Sequence, residues 1–191
     1  QGRGALEAAW ARIDELARDP VVRAVGETGL DYFRPPESEG QAIQHDSFRW
    51  HIDLATELDK TLVIHDRDSH DDVISVLLDQ GAPKRVVFHC FSGDADMARV
   101  CAEHGWFMSF AGVITFASAE GLREALRTVP DDLLLVETDA PYLTPKPNRG
   151  RVNATYLMPW TVRRMAEERG VDVEKLCDDI VANTHRAFGQ W

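Results

Sequence analysis

Cysteine, long apolar runs and positive charge are the features that this sequence has least of. Its three cysteines, Cys90, Cys101 and Cys177, form no Cys-x-x-Cys pair and cannot all be bridged, which indicates buried thiols in a reducing compartment. No apolar run approaches the roughly 20 residues that span a bilayer, and the first segment has no signal-peptide core. A soluble, cytoplasmic protein without a membrane partner is therefore expected.

Acidic residues outnumber basic ones. The formal net charge is −11, with 21 Lys and Arg against 32 Asp and Glu. This balance argues against a broad cationic surface for nucleic acid, because non-specific binding requires neutralisation of phosphates by Lys and Arg. It does not exclude a polyanionic substrate, since divalent cations held by carboxylates can bind phosphates. With 44% hydrophobic and 28% charged residues among 191, the composition is that of one globular domain.

Short apolar runs alternate with segments of helical periodicity. The runs, rich in Val, Leu, Ile and Phe, are 21–27, 62–65, 85–90, 107–113 and 133–139. The periodicity predicts helices at 5–18, 41–59, 69–80, 94–104, 118–128, 155–168 and 173–187. The third helix opens with Ser69-x-x-Asp72, a variant of the capping box. This alternation predicts an α/β fold whose parallel strands are buried on both faces.

A polar residue stands at or near the end of each apolar run. These residues are Glu27, His65, His89, Ser109 and Asp139. Functional residues at the ends of many strands are typical of a (β/α)₈ TIM barrel, whereas an open sheet concentrates its site at one switch point. The barrel is therefore the favoured architecture.

Four of these residues form a set of ligands for divalent metal, namely Glu27, His65, His89 and Asp139. Imidazole nitrogen and carboxylate oxygen suit zinc, manganese or a similar ion. Taken alone, either histidine fits a structural hydrogen-bonding role equally well, and Glu27 fits a helix cap. Their joint occurrence at the ends of four separate runs favours the metal site.

Five longer segments resemble, in order, the motifs of TatD-related metal-dependent deoxyribonucleases, which are amidohydrolase-type TIM barrels. The segments are AVGETGLDYFR (24–34), LVIHDRD (62–68), VVFHCFSGD (86–94), FMSFAGVITF (107–116) and LLLVETDAPYLTPKPNRGRVN (133–153). The resemblance implies two divalent ions (Zn, Mn or Mg) bridged by Glu27, with His65 and His89 on the second ion. It also implies that Asp139 holds the first ion and acts as general base in cleaving phosphodiester bonds of DNA, as a DNase or 3′–5′ exonuclease.

One part of the family pattern is missing. The family's first strand ends in His-x-His, and the seven histidines of this sequence include no such pair. A full barrel of this kind also needs roughly 250 residues. We therefore expect residues 1–191 to form one incomplete TIM-barrel domain of about five strands, corresponding to the family's strands four to eight. Roughly 60–90 N-terminal residues of the natural protein would then be absent, at about 30 residues per strand–helix unit.

Residues near the expected barrel mouth are candidates for binding substrate. Arg67, Arg149 and Asn153 are predicted phosphate contacts, with a solvated loop position as the alternative for each. Asp31 is either a partner that orients a histidine ligand or a turn residue. Strand alternation puts Glu137 on the same side as Asp139, and the resemblance selects Asp139 as the ligand. Four histidines in helical segments, His45, His51, His70 and His104, are predicted to have structural or surface roles.

Three functions remain open at this point. The first is a metal-dependent nuclease with DNA or another nucleic acid as substrate. The second is hydrolysis of another bond on the same barrel, such as an aminoacyl-tRNA ester or a small-molecule amide or lactone. The third is a catalytically inert scaffold that lacks half of its first metal site. No stable protein partner is inferred.

Overall fold

The computed structural model describes residues 3–33 and 38–190, and within them the chain forms five strands and seven α-helices. The strands are β1 (Ala24–Asp31), β2 (Thr61–Arg67), β3 (Val86–Phe88), β4 (Phe107–Phe110) and β5 (Leu134–Val136). The helices are α1 (Arg3–Ala17), α2 (Ser38–Glu57), α3 (His70–Gln80), α4 (Ala95–Glu103), α5 (Glu120–Thr128), α6 (Met158–Arg169) and α7 (Val173–Phe188). Short 3₁₀ turns cover Gly112–Thr115, Asp131–Leu133 and Thr155–Leu157.

The five strands follow one another in the sheet in the same order as in the chain. The order is β1-β2-β3-β4-β5, and every neighbouring pair is parallel. An open doubly wound sheet reverses its order at a switch point, whereas the wall of a TIM barrel does not. The predicted α/β architecture with parallel, barrel-type strand order is therefore confirmed. The assignment of β1 to β5 to the family's barrel strands four to eight stays a prediction.

The two faces of the sheet carry different side chains. The face toward the helices holds the main core, in which Phe88 and Phe110 are almost fully buried. The other face, called here the inner face, carries a smaller apolar cluster formed by Val63, Val87, Phe107 and Leu135. Because side chains alternate along a strand, the residues two positions beyond Val63, Val87 and Leu135 also point to the inner face. Those residues are His65, His89 and Glu137.

Two strands extend further than the sequence predicted. The first was expected to end at Glu27, but β1 continues for four residues beyond it. In the same way, β2 runs two residues past His65. Both residues therefore lie inside strands, and His65 pairs with Gly29 across the ladder, which holds it more firmly than a loop would.

The predicted capping box at the start of α3 is not formed. Ser69 Oγ makes no cap hydrogen bond and donates instead to Leu30 O and to Asp66 Oδ1, both at 2.7 Å. The hydroxyl thus ties the start of α3 to β1 and β2. The other predicted helices are present with ends shifted by a few residues, and the segment 155–168 opens as a 3₁₀ turn before α6.

All three cysteines are free thiols. Cys101 is buried and Cys90 is half-buried, but Cys177 is exposed on α7, so the expectation of buried thiols is wrong at that position. Within residues 3–33 and 38–190, no helix combines the length and the hydropathy that crossing a bilayer requires.

Candidate metal centre

Glu27 lies at a bulge in β1. The pairing register with β2 shifts between Val25 and Thr28. Val25 before the shift and Leu30 after it both pack in the core on the helix side, although they are five positions apart. Strict alternation would therefore turn Glu27 toward the helices, and the extra residue of the bulge instead directs its carboxylate to the inner face.

Two glycines flank this bulge. Gly26 and Gly29 have φ angles of +149° and +146°, and a Cβ atom would lie 2.5 Å from Val63 O in the first case and 1.9 Å from His65 O in the second. A side chain fits neither position, because both the left-handed backbone and the close approach of β2 exclude it. The sequence Gly-Glu-Thr-Gly thus places Glu27 beside β2.

His65 lies between two carboxylates on the inner face. Its Nδ1 atom is 3.7 Å from Glu27 Oε1, and its Nε2 atom is 3.2 Å from Asp31 Oδ2. Asp31 is held by Gln44, whose side chain accepts from the Asp31 amide at 2.8 Å and donates to its carbonyl at 3.2 Å. The ring therefore presents Nδ1 to the centre, while Asp31 contacts the opposite nitrogen.

His89 follows β3 directly and contacts three carboxylates. Its Nε2 atom is 3.0 Å from Glu27 Oε2 and 3.7 Å from Asp139 Oδ1. Its Nδ1 atom is 2.7 Å from Glu137 Oε1, a buried atom that makes this ion contact but has no partner with hydrogen-bond geometry in the described part of the chain. Here Nε2 faces the centre and Glu137 contacts the opposite nitrogen. A histidine ligand oriented by a carboxylate on its far side is the usual arrangement in metal sites.

Asp139 stands in the loop after β5, with a left-handed φ of 54°. Asp and Asn adopt this conformation more readily than other non-glycine residues. The Asp139 carbonyl accepts a hydrogen bond from Tyr142 N at 2.9 Å, which closes the turn. Its carboxylate is thereby held at the end of the sheet beside His89.

Asn153 is hydrogen-bonded to the same loop. Its Nδ2 atom donates to Thr138 O at 2.7 Å and to Tyr142 O at 2.6 Å, and its Oδ1 atom accepts from Ala154 N. The side chain is buried, with only 4% of the residue exposed. The structure therefore gives Asn153 a role in positioning the Asp139 loop, in place of the predicted contact with substrate.

Carboxylates dominate the electrostatics of the centre. Contact with Glu137 is the main reason that the pKa of His89 is raised, and burial opposes this effect. Burial raises the pKa of Asp139, while the charge of His89 opposes the rise. Burial, assisted by the three carboxylates of Glu137, Asp139 and Glu27, raises the pKa of the adjacent Cys90 thiol to about 12. Neighbouring carboxylates contribute to the raised pKa of all three groups, and a bound cation would offset this concentration of negative charge.

The donor atoms fit a divalent metal. They converge in two groups, Glu27 with His65 and His89, and His89 with Glu137 and Asp139, each with its ligand atoms within 4.8 Å of one another. Mixed imidazole nitrogen and carboxylate oxygen are suitable ligands for zinc or manganese. The structure thus brings the four predicted ligands together. The second group also contains Glu137, which was not a predicted ligand. The only sign of it in the sequence is its spacing of two residues from Asp139, which puts both on the same side of the strand.

The two predicted arginines each lie over an aromatic ring. The Arg67 guanidinium is 3.5 Å from the centroid of Phe33, and that of Arg149 is 4.0 Å from the centroid of Phe116. Neither contact follows from the order of residues in the chain, because each joins an arginine to a ring more than 30 positions away in sequence. Four helical histidines contact protein groups, with His45 on Tyr32, His51 on Ser47, His70 on Asp66 and His104 on Trp106. Of these, His51 also lines a depression together with Glu27 and His65.

Comparison with known proteins places the chain among relatives over almost its whole length. A family model described as TatD related DNase matches residues 4–189. The uncharacterized metal-dependent hydrolase TatD of Mycobacterium tuberculosis is 46% identical over 186 residues, which are 96% of this chain and 70% of the relative. The uncharacterized metal-dependent hydrolase YcfH of Escherichia coli K12 is 41% identical over 174 residues, which are 91% of this chain and 65% of the relative.

A solved structure agrees with this result. The crystal structure of YjjV, a TatD homolog from Escherichia coli K12, matches with a TM-score of 0.89 at 26% identity, covering 97% of this chain and 71% of the other. The present chain spans 65% to 70% of the length of the two sequence relatives named above. All four predicted metal ligands fall inside the matched residues. The chain belongs to the TatD related DNase family.

Proposed function

We propose that this protein is a divalent-metal-dependent hydrolase that cleaves phosphodiester bonds of DNA, removing nucleotides from a 3′ end. The observation that carries the proposal is the position of Glu27, whose two oxygens face different imidazoles, Oε1 toward His65 and Oε2 toward His89. A carboxylate placed in this way suits a bridge between two ions. The names of the relatives, metal-dependent hydrolases, support the same reaction class.

The residues of the centre divide the work. Divalent ions held at such a site lower the pKa of water and offset the negative charge of a phosphate during displacement. Glu27, His65 and His89 would hold these ions, with Zn, Mn or Mg as the candidates. Asp139, whose carboxylate lies 3.7 Å from His89 Nε2, would accept the proton of the attacking water. Glu137 and Asp31 fix the orientation of the two rings.

The surface beside Asp139 supports a nucleic-acid substrate. Residues 140–166 contain no Asp or Glu and five basic residues, which are Lys146, Arg149, Arg151, Arg163 and Arg164. In a chain with a net charge of −11, such a segment is a local exception. Tyr142 is 69% exposed and lines a depression together with Phe116, Arg149 and Arg151. Exposed aromatic rings among arginines are the pattern by which proteins bind single-stranded nucleic acid, with bases stacked on rings and phosphates near cations.

An activity panel tests the reaction. The substrates are 5′-labelled single-stranded DNA, duplex DNA and aminoacyl-tRNA, each with Mn²⁺, Zn²⁺ or Mg²⁺ and with EDTA. We expect stepwise shortening of the single strand from its 3′ end that EDTA abolishes. The Asp178→Asn change, at an exposed carboxylate on α7, serves as the control for Asp139→Asn. Hydrolysis of aminoacyl-tRNA alone would move the function to ester bonds, and inactivity on every substrate would indicate an inert chain.

A second experiment tests the substrate contacts. Arg67→Ala and Arg149→Ala should each raise the KM for an oligonucleotide several-fold and leave metal content unchanged, because neither arginine belongs to the ligand groups. Arg99→Ala is the matched control, since Arg99 is an exposed arginine on α4 that pairs with Asp96. An unchanged KM in both test variants would argue against phosphate contacts and favour a small, uncharged substrate.

A further inference from the structure

A second charged site lies at the opposite end of the sheet from the metal centre. A depression of about 330 Å³ opens where β1, β2 and β3 begin, between the end of α2 and the end of α7. Its lining includes four cations, Arg23, Lys60, Arg85 and Arg186, and one carboxylate, Asp59. The first residue of β2, Thr61, also lines it. From Thr61 to His65 the strand rises about 13 Å, so this depression is separate from the metal centre.

Three of these cations have no carboxylate partner among the described residues. Lys60 Nζ donates to the carbonyls of Asp19 and Val22, at 2.8 and 2.7 Å. Arg186 bonds to the carbonyl of Asp132 and to Asn183 Oδ1. These acceptors fix the direction of the side chains but carry no formal charge.

The third cation without a carboxylate partner is Arg23, and the only carboxylate that lines the depression among the described residues is that of Asp59. Arg23 is exposed and makes neither an ion pair nor a hydrogen bond with another described residue. Asp59 is shared, because its Oδ1 atom lies 3.3 Å from Lys84 Nζ and 3.4 Å from Arg85 Nη2. One carboxylate thus serves two cations, and the depression keeps an excess of positive charge in a protein whose net charge is −11. Placing like charges around one concavity without an anion is electrostatically unfavourable.

We infer that this depression binds a small phosphorylated anion. Phosphate oxygens accept several charge-assisted hydrogen bonds at once, which guanidinium groups supply in a planar fork and Lys60 supplies as a point charge. The protein orders the groups beforehand, since Lys60, Arg85 and Arg186 are already bound to backbone or side-chain oxygens of the fold. Less side-chain entropy is therefore lost when the anion binds.

Arg23 is the residue that separates a binding site from a structural cluster. It has no described partner to lose, so Arg23→Glu should leave the thermal midpoint unchanged while reversing a charge in the depression. Arg99→Glu makes the same charge change at a distant exposed site on α4. Lys60 is less suitable, because its removal would also release the carbonyls of the 19–22 turn.

The test measures binding of pyrophosphate by isothermal titration and by ¹H–¹⁵N correlation spectra. EDTA removes metal from the protein, and excess chloride competes for non-specific anion binding. We expect saturable binding, with amide shifts at Val22, Lys60, Thr61 and Gly189, and at least a tenfold weaker Kd in Arg23→Glu. Arg99→Glu should stay within twofold of the unchanged protein. Tighter binding of deoxyadenosine monophosphate than of pyrophosphate would identify the ligand as a nucleotide, and equal binding would identify the phosphate group alone.

Two outcomes would overturn the inference. One is the absence of pyrophosphate-induced shifts at the four amides, and the other is an equal loss of affinity in Arg23→Glu and Arg99→Glu, which would reduce the effect to net charge. Neither outcome bears on the proposed hydrolase. Glu27→Ala should remove metal binding and hydrolysis while leaving pyrophosphate binding at this depression intact.

Discussion

The two histidine–carboxylate pairs of the metal centre differ in burial and in contact distance. The pair His65–Asp31 joins β2 to β1, which is an edge strand of the described sheet, at 3.2 Å with side chains 32% and 41% exposed. The pair His89–Glu137 lies between β3 and β5 at 2.7 Å with side chains 20% and 19% exposed. The His65–Asp31 contact has hydrogen-bond geometry, whereas Glu137 Oε1 has no hydrogen-bond partner among the described residues. Because water screens charge less in the buried pair, the shorter ion contact should nevertheless orient His89 more strongly than His65.

Glu27 contacts both histidines, so it joins the two histidine–carboxylate pairs. Its removal should have the largest effect on metal binding and activity. Glu27→Ala takes away the oxygens that face both imidazoles, so bound metal should be lost from the purified protein and hydrolysis should fall to background. Elemental analysis and rate measurement on the same sample check this. Glu124→Ala, at an exposed position on α5, is the control. Full metal occupancy in Glu27→Ala would mean that the two pairs bind metal independently.

Asp139 lies beside the buried pair and carries the proposed proton transfer. Asp139→Asn keeps an oxygen toward His89 but cannot accept the proton, so kcat at saturating metal should fall by roughly 10²- to 10⁴-fold. Part of the loss will come from weaker metal binding, which the saturating concentration minimises. Near-full turnover in Asp139→Asn together with an inactive Glu137→Gln would transfer the role of base to Glu137.

Replacing Glu137 and Asp31 tests whether the two histidine–carboxylate pairs differ in strength. Glu137→Gln should weaken metal affinity by about 10- to 100-fold, the usual effect of removing the partner of a ligand histidine. Asp31→Asn should weaken it by less than this, because its contact is longer and more exposed. Competition with a chromophoric chelator measures both values. An equal loss in the two variants would show that burial does not distinguish the pairs.

The sequence predicted most of this centre because the ligands follow apolar strands in a pattern set by alternation. His65 and His89 were identified by their places at the ends of apolar runs, whereas alternation left Glu137 and Asp139 equivalent and the family resemblance selected Asp139. The parallel arrangement of the strands was predicted as well. The direction of Glu27 could not be predicted by alternation, because it depends on a register shift that only the pairing with β2 reveals. Nor could the burial of Asn153 be predicted, since its amide bonds to backbone carbonyls from a loop.

The smallest predicted effect is on stability, and it concerns His70, the first residue of α3, which belongs to neither histidine–carboxylate pair. His70 Nδ1 lies 2.6 Å from Asp66 Oδ2, and the Asp66 side chain is 5% exposed. This hydrogen bond is the main reason that the pKa of His70 is raised. The folded state therefore binds the proton more tightly than the unfolded state does, whose histidine pKa is about 6.5. The added stability is present in full below that value and is lost as the pH rises through the higher pKa of the folded state.

His70→Gln should consequently destabilise the protein at pH 5.5 and much less at pH 9. The difference should stay under about 1 kcal/mol, because His70 is 37% exposed and solvent screens its charge. Urea unfolding of both proteins in EDTA at pH 5.5, 7 and 9 measures it. Titration of His51, whose pKa burial lowers, occurs in both proteins and cancels in the comparison. A stability difference that grows with pH would show that His70 gains no stability from its proton, and that Asp66 is satisfied by Ser69 alone.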